Sequence, residues 1–243
     1  MQNIFETLHI PLACKINRKL FKKQFIENFS LNANEKNILS SEIESITLEY
    51  LLNKDKINIA PFVDDNNDYS EVAFIGVTLL GVTKLKQIIN IIQYIPYPLI
   101  VVFSHENSVC LNISPKRINK HDASKLVVEE NFIGNWIDLD KISNIEAEFL
   151  KSLEIQNQPF TNFLEFYNSY LNKLIAFNAS EYSGSLEISE DARERLREIQ
   201  ELEVEIKEVI TKIKKETNIR NKVNFNIELK QLSEKLEALK GRL

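Results

Sequence analysis

The run from Glu71 to Leu80 constrains this chain more than any other. Val72, Ala73, Phe74, Ile75, Val77, Leu79 and Leu80 make it nearly continuously apolar. A strand covered on one face alternates apolar and polar residues; one buried on both faces reads as an unbroken apolar run. The run therefore predicts a central strand with material packed on both sides. The sequence after it completes a strand–helix–strand–strand unit within Ser70–Ser114. Thr83 can cap a helix reaching Tyr94, whose buried face is Leu85, Ile88, Ile92 and Ile95, and Pro96 and Pro98 end it. Pro98–Ser104 is a second strand, and if it lies parallel to the first in one sheet the crossover is right-handed. His105-Glu106-Asn107 then turns the chain into an antiparallel strand, Ser108–Ile113.

The flanks are read by the same periodicities. Pro11–Lys23 is basic, with Lys15, Arg18, Lys19, Lys22 and Lys23. Phe21, Phe25 and Phe29 recur every four residues, as on a surface helix docked by its phenylalanines. The alternative use of these cations is a phosphate or partner patch. Asn32 to Lys54 holds a second helix, capped by Asn32 or Asn34 and buried along Leu39, Ile43, Ile46 and Tyr50, with Glu42, Glu44 and Glu49 in water. Ile57–Phe62 reads as a short strand closed by Pro61. Asp64, Asn66 and Asp68 imitate the first ligands of a calcium loop. Tyr69 and Ile75 stand where that loop needs Gly and Glu, so a solvated turn is expected. Pro115–His121 is a basic loop carrying Lys116 and Arg117, Lys125–Phe132 is a further strand, and Trp136 anchors the end of this domain.

From Ser143 onward the strand signal stops. Glu146–Leu153 and Asn162–Phe177 read as helices, the latter with Phe163, Phe166, Tyr170, Leu174 and Phe177 on one face. The tail is charge-rich with an apolar seam. Leu202, Ile206, Val209 and Ile213 step by 4, 3 and 4, and Leu229, Leu232, Leu236, Leu239 and Leu243 by 3, 4, 3 and 4. These are coiled-coil spacings, interrupted by the Asn-rich Thr217–Asn226. Two helices folding back antiparallel are expected, with one long helix paired to a partner as the alternative. The fold class is α+β: a mixed β-sheet with flanking helices over residues 1–142, followed by a C-terminal helical domain over 143–243 whose tail, 189–243, is a coiled-coil-like hairpin.

Composition narrows the function. A net charge of −5 argues against coating nucleic acid through the overall field, while leaving local basic patches open. No apolar run reaches the ~18 residues of a membrane span, and Met1–Pro11 lacks a secretory pattern, so a cytoplasmic location is expected. Cys14 and Cys110 are then buried thiols rather than a disulfide, and His105 and His121 are solvated loop residues. None of the five glycines sits in a phosphate-cradling or dinucleotide motif. No G-x-S-x-G, H-E-x-x-H or C-x-x-C occurs. The central unit is also the kernel of many restriction-type nucleases, which place an acid on one strand and E-x-K on the next to hold magnesium. Asp64, Asp68 or Glu71 could supply the first acid. The second position reads Val77-Thr78-Leu79-Leu80-Gly81, without acid or lysine. No catalytic residue, cofactor or metal site is expected.

Several segments in order resemble one bacterial family, the domain of unknown function four-three-nine-one. They are Lys15-Ile16-Asn17-Arg18-Lys19-Leu20-Phe21, Ile95-Pro96-Tyr97-Pro98, Lys116-Arg117, Val128-Glu129-Glu130 with Trp136, and Asn221-Lys222-Val223-Asn224-Phe225-Asn226 before the leucine repeat. The resemblance implies an accessory protein encoded beside helicases and DNA methyltransferases in restriction-modification or phage-defence islands. It also implies an acidic-x-basic ending to the central strand, from which Thr78–Leu80 departs.

Three functions follow as expectations. One is a non-enzymatic interaction subunit docking a helicase or methyltransferase through Leu229, Leu232, Leu236 and Leu239. Another is a nucleic-acid-binding module or degenerate nuclease touching phosphates through Lys15, Arg18, Lys19, Lys116 and Arg117. The third is a structural coiled-coil homodimer.

Overall fold

The computed structural model describes residues 4–187 and 191–241. A short helix α1, Ile4–Thr7, precedes strand β1, Lys15–Lys19. Helices α2, Lys22–Asn28, and α3, Ala33–Ser41, lead into the long strand β2, Ile43–Asn53. A two-residue hairpin, β3 Phe62–Val63 and β4 Asp68–Tyr69, precedes the central strand β5, Glu71–Leu79. Helix α4, Leu85–Ile92, connects to β6, Leu99–His105, and β7, Ser108–Ile113. A separate hairpin, β8 Lys116–Asn119 and β9 Asp122–Val128, is followed by β10, Phe132–Ile133, and β11, Ile137–Asp138. The remainder is helical: α5 Asn144–Ser152, α6 Phe163–Ser183, α7 Ala192–Lys215 and α8 Ile219–Lys240.

The main sheet has the order β1-β2-β5-β6-β7, with β10 and β11 both on the outer side of β7. The central β5 pairs antiparallel with β2 and parallel with β6, as its unbroken apolar run requires of a strand covered on both faces. Alternate residues go to opposite faces. Ala73, Ile75, Val77 and Leu79 meet Leu99, Val101 and Phe103 of β6 in one core, under Ile38 and Leu39 of α3 and Ile88, Ile89, Ile91 and Ile92 of α4. On the other face Phe74 meets Tyr170 of α6 edge-on at 5.7 Å, and Tyr167 donates its hydroxyl to the Leu99 carbonyl at 3.0 Å. The aromatic stripe expected in this helix is thus core.

Two expected helices are corrected. The stretch from Asn32 to Lys54 splits: Asn32 caps α3 by accepting from the Glu35 N–H at 3.0 Å, and the chain then turns extended from Ile43. The helical spacing is produced by two bulges in β2, between Ile43 and Ser45 and between Leu48 and Tyr50. Each inserts a residue and breaks strict alternation. Ile43, Ile46, Leu48 and Leu51 consequently face α3 and α4, while Tyr50 packs with Phe5 at 6.4 Å. Likewise the basic Lys15–Lys19 is not helical but a strand, pairing with β2 through its own irregularity between Lys15 and Arg18, where Asn17 has φ 47°. Only Phe25 and Phe29 of the phenylalanine stripe are drawn into the core, and Phe21, just before α2, is 59% exposed. Thr83 does not cap α4; Lys84 occupies that position. Ile57–Phe62 is no strand as a whole: its pairing is an isolated bridge from Ala60 to Asn162, and β3 begins at Phe62.

Packing divides the chain into two units, Met1–Leu174 and Ile175–Leu243. The expected boundary at 142 is therefore displaced: α5 and the aromatic half of α6 belong with the sheet, because Phe163, Phe166, Tyr167 and Tyr170 are buried there. In the second unit α7 and α8 lie antiparallel, turned by residues 216–218, with Asn218 accepting from the Arg220 N–H at 2.9 Å. Ile199, Leu202 and Leu236 form its centre, flanked by Tyr182, Ile206, Leu232 and Leu239. The last leucine of the expected run, Leu243, lies outside the described residues.

Candidate functional site

The two groups of cations expected to meet phosphate are on different sheets and have opposite environments. Lys15, Arg18 and Lys19 lie along β1 and are solvent-exposed. Lys116 belongs to a strand rather than a basic loop, and only 2% of it is exposed. Its Nζ donates to the carbonyls of Gln93 and Ile95 at 2.9 and 2.6 Å, just past the end of α4. Helix ends leave carbonyls unpaired and carry partial negative charge, which a lysine satisfies. Burial pushes the Lys116 ammonium down to about 7. This lysine is a helix cap and is corrected as a phosphate contact. Arg117 is half-buried, with its guanidinium on the Ile118 carbonyl and 4.0 Å from Glu129.

The acids considered for a nuclease centre are at the wrong end of β5. Asp64 accepts from the backbone of Asn66 and Asn67, Asp68 from Ser70, and Glu71 from Asn53. Asp64 and Asp68 precede the strand, and Glu71 begins it, about 23 Å from Thr78 at the rise of an extended chain. Among the described residues no group of three His, Cys, Asp or Glu is placed to hold a metal ion. Cys14 and Cys110 are free, buried thiols, and burial pushes Cys110 up to about 12.

The carboxyl ends of the parallel pair β5 and β6 do form a cavity, on the sheet face away from α4. Its volume is about 210 Å³. Thr47 and Glu49 of β2, Gly76 and Thr78 of β5 and Ser104 of β6 line its floor, and Ile4 and Phe5 of α1 its cover. Ligands of open sheets characteristically sit beyond the carboxyl ends of parallel strands. Register aligns hydroxyls there: Ser45 is opposite Thr78, and Thr78 opposite Ser104. The Ser45 hydroxyl is 3.1 Å from that of Thr78.

Glu49 is the functional candidate that sequence reasoning misses, since helical periodicity puts it in water. It is at the bulge between Leu48 and Tyr50, which turns it toward the cavity. A Cβ on Gly76 would stand 3.1 Å from its Oε1 and 3.1 Å from Phe5, so the glycine makes room for the carboxyl group. Burial raises its pKa, offset in part by the charge of Lys15. The available signal is Gly76 itself, a lone glycine inside a strand-like apolar run, which marks a close approach.

The leucines expected to hold a partner are used inside the second unit. Leu236 is buried against Ile199 and Leu202, with Leu232 and Leu239 beside it, and Leu229 is half-buried. What α8 presents outward is Ile219, Val223 and Ile227, 80%, 53% and 53% exposed. Among the described residues no helix is long and apolar enough to cross a membrane.

No curated protein and no solved structure matches the chain. A family model matches residues 8–236, and the chain accordingly belongs to the family described as domain of unknown function (DUF4391).

Proposed function

We propose that this protein is a non-enzymatic interaction subunit in the cytoplasm, working beside a helicase or DNA methyltransferase of a bacterial restriction-modification or phage-defence system. The observation that carries this reading is the outward stripe of Ile219, Val223 and Ile227 on α8. Four-residue steps place these side chains on one helical face. The seam leucines do not compete for a partner, since they already pack against α7. The docking element is thus the outer face of the hairpin rather than its inner seam.

The test is recovery of partners from the native host with the tagged full chain. Val223→Asp plus Ile227→Asp should abolish recovery of a helicase or methyltransferase with the melting temperature unchanged. Undiminished recovery by that variant removes the reading. Leu232→Asp plus Leu236→Asp serves as the contrast, because it opens the hairpin itself. A second reading, nucleic-acid binding through β1, is favoured by the exposure of Lys15, Arg18 and Lys19 along one strand. It predicts affinity that falls steeply with salt.

A further inference from the structure

We propose that the cavity over the carboxyl ends of β5 and β6 binds a small organic cation, a primary ammonium on a short aliphatic body, with Glu49 as its counter-ion. The proposal is independent of the docking role of the hairpin.

Three features of the chain converge on this cavity. The bulge in β2 inserts a residue where none is needed for pairing, and that residue is Glu49. Bulges re-aim a side chain at the cost of a ladder position. Gly76 gives up a side chain directly beneath the carboxyl group, with any Cβ 3.1 Å from Oε1. Glycine weakens a strand interior, so its presence in an otherwise β-branched and aromatic strand answers a spatial need. The Ser45–Thr78–Ser104 row then places hydroxyls in register across three strands, with Thr47 beside it.

The carboxylate itself indicates the ligand's charge. Glu49 makes no hydrogen bond or ion pair to any described residue, although burial opposes its ionisation. A partly buried carboxylate without a partner is costly, and a cation delivered into the cavity relieves that cost. Lys15 acts on Glu49 through its field, but from the exposed β1 and not in contact. Thr47, Thr78 and Ser104 offer hydroxyl oxygens to the ammonium's remaining N–H groups, since an ammonium donates three hydrogen bonds and accepts none. Val102, Val109, Phe5 and Leu139 supply apolar wall for an aliphatic body. About 210 Å³ is below the volume of drug-sized pockets and too small for a peptide or a nucleic-acid strand.

The experiment is a titration of the full chain with n-butylamine hydrochloride, followed by calorimetry and melting temperature. n-Butanol, sodium butyrate and magnesium chloride are run in parallel. Butylammonium should raise the melting temperature in a saturable way, and butanol and butyrate should not. Glu49→Gln, which keeps the shape and removes the charge, should weaken binding at least tenfold. Gly76→Ala, which sets a methyl group against the carboxyl, is the second variant and should weaken binding likewise. Absence of saturable amine binding overturns the proposal, and so does amine binding that both variants leave intact. Saturable stabilisation by magnesium alone overturns it in favour of a metal site.

Discussion

Lys15, Arg18 and Lys19 on one side and Lys116 and Arg117 on the other look alike as sequence and lie on strands alike, yet differ in their surroundings. The first group points into solvent from β1, whereas Lys116 is built into the interior beside α4 and Arg117 is half-buried against Glu129. The difference comes from what each strand passes. β1 borders the sheet with water beyond it. β8 passes the end of α4, where the Gln93 carbonyl needs a donor, that of Ile95 already accepts from Tyr97, and a methylene stem can cross apolar ground to reach both. Lys22 is intermediate: its Nζ reaches the carbonyls of Ser40 and Ile43 at the end of α3, but it stays partly exposed. The pattern teaches that a cation in this fold is left in solvent or bound to a helix end by its neighbours, not by its charge.

The contrast can be broken by substitution, beginning where the expected effect is largest. Lys116→Ala leaves the buried Gln93 carbonyl without a donor, while that of Ile95 keeps the Tyr97 N–H, and should cost about 2 kcal/mol in urea unfolding. A loss under about 1 kcal/mol would show that water replaces the lysine freely. The same group gives the wild type a pH signature. Its pKa is about 7 in the folded protein and near 10.4 in an unfolded chain. Between those two values the unfolded state binds a proton that the folded state refuses. The stability it contributes is therefore fully present above about pH 10.4 and lost progressively as pH falls to about 7, by up to about 1.4 kcal/mol per unit. Measured against Lys116→Met, the wild type should gain stability from about pH 7 to about pH 9; a flat difference would place the folded pKa near its ordinary value.

Lys22→Ala should cost less, about 1 kcal/mol, because solvent reaches those carbonyls. Smallest of all, replacing Lys15, Arg18 and Lys19 together by alanine should move stability by no more than about 0.5 kcal/mol. That variant sharpens the comparison through another readout. If β1 meets nucleic acid, the slope of log affinity against log salt on duplex DNA should become shallower by about 0.9 for each phosphate that the variant no longer neutralises.

How much of this was legible in the sequence follows from the same physics. The Ser70–Ser114 unit was legible because burial on both faces writes itself as an unbroken apolar run, and β5, α4, β6 and β7 sit within a few residues of their expected places. The hairpin was legible through heptad-like steps. β2 was not, because its two bulges gave Ile43, Ile46 and Tyr50 the spacing of a helix. Bulges depend on the strand alongside, which local periodicity cannot report. Glu49 was lost with β2, since a carboxylate on the surface of a helix needs no explanation. Lys116 was misplaced for a related reason: its partners are backbone carbonyls at Gln93 and Ile95, which leave no trace in side-chain pattern. Only Gly76 pointed to the cavity.

The borders of the main sheet carry a consequence for the protein's life in a crowded cell. An unpaired strand is a template on which a foreign chain can add and grow into aggregates. Here β1 is kinked at Asn17 and studded with like charges, so an incoming strand meets both a broken hydrogen-bonding register and repulsion. Among the described residues the opposite border offers only the fragments Phe132–Ile133 and Ile137–Asp138, with the Gly134 N–H donating to the Leu111 carbonyl between them. Neither side presents a long ladder. The apolar centre of the main sheet is thus bordered by edges on which an incoming strand finds little regular ladder to extend.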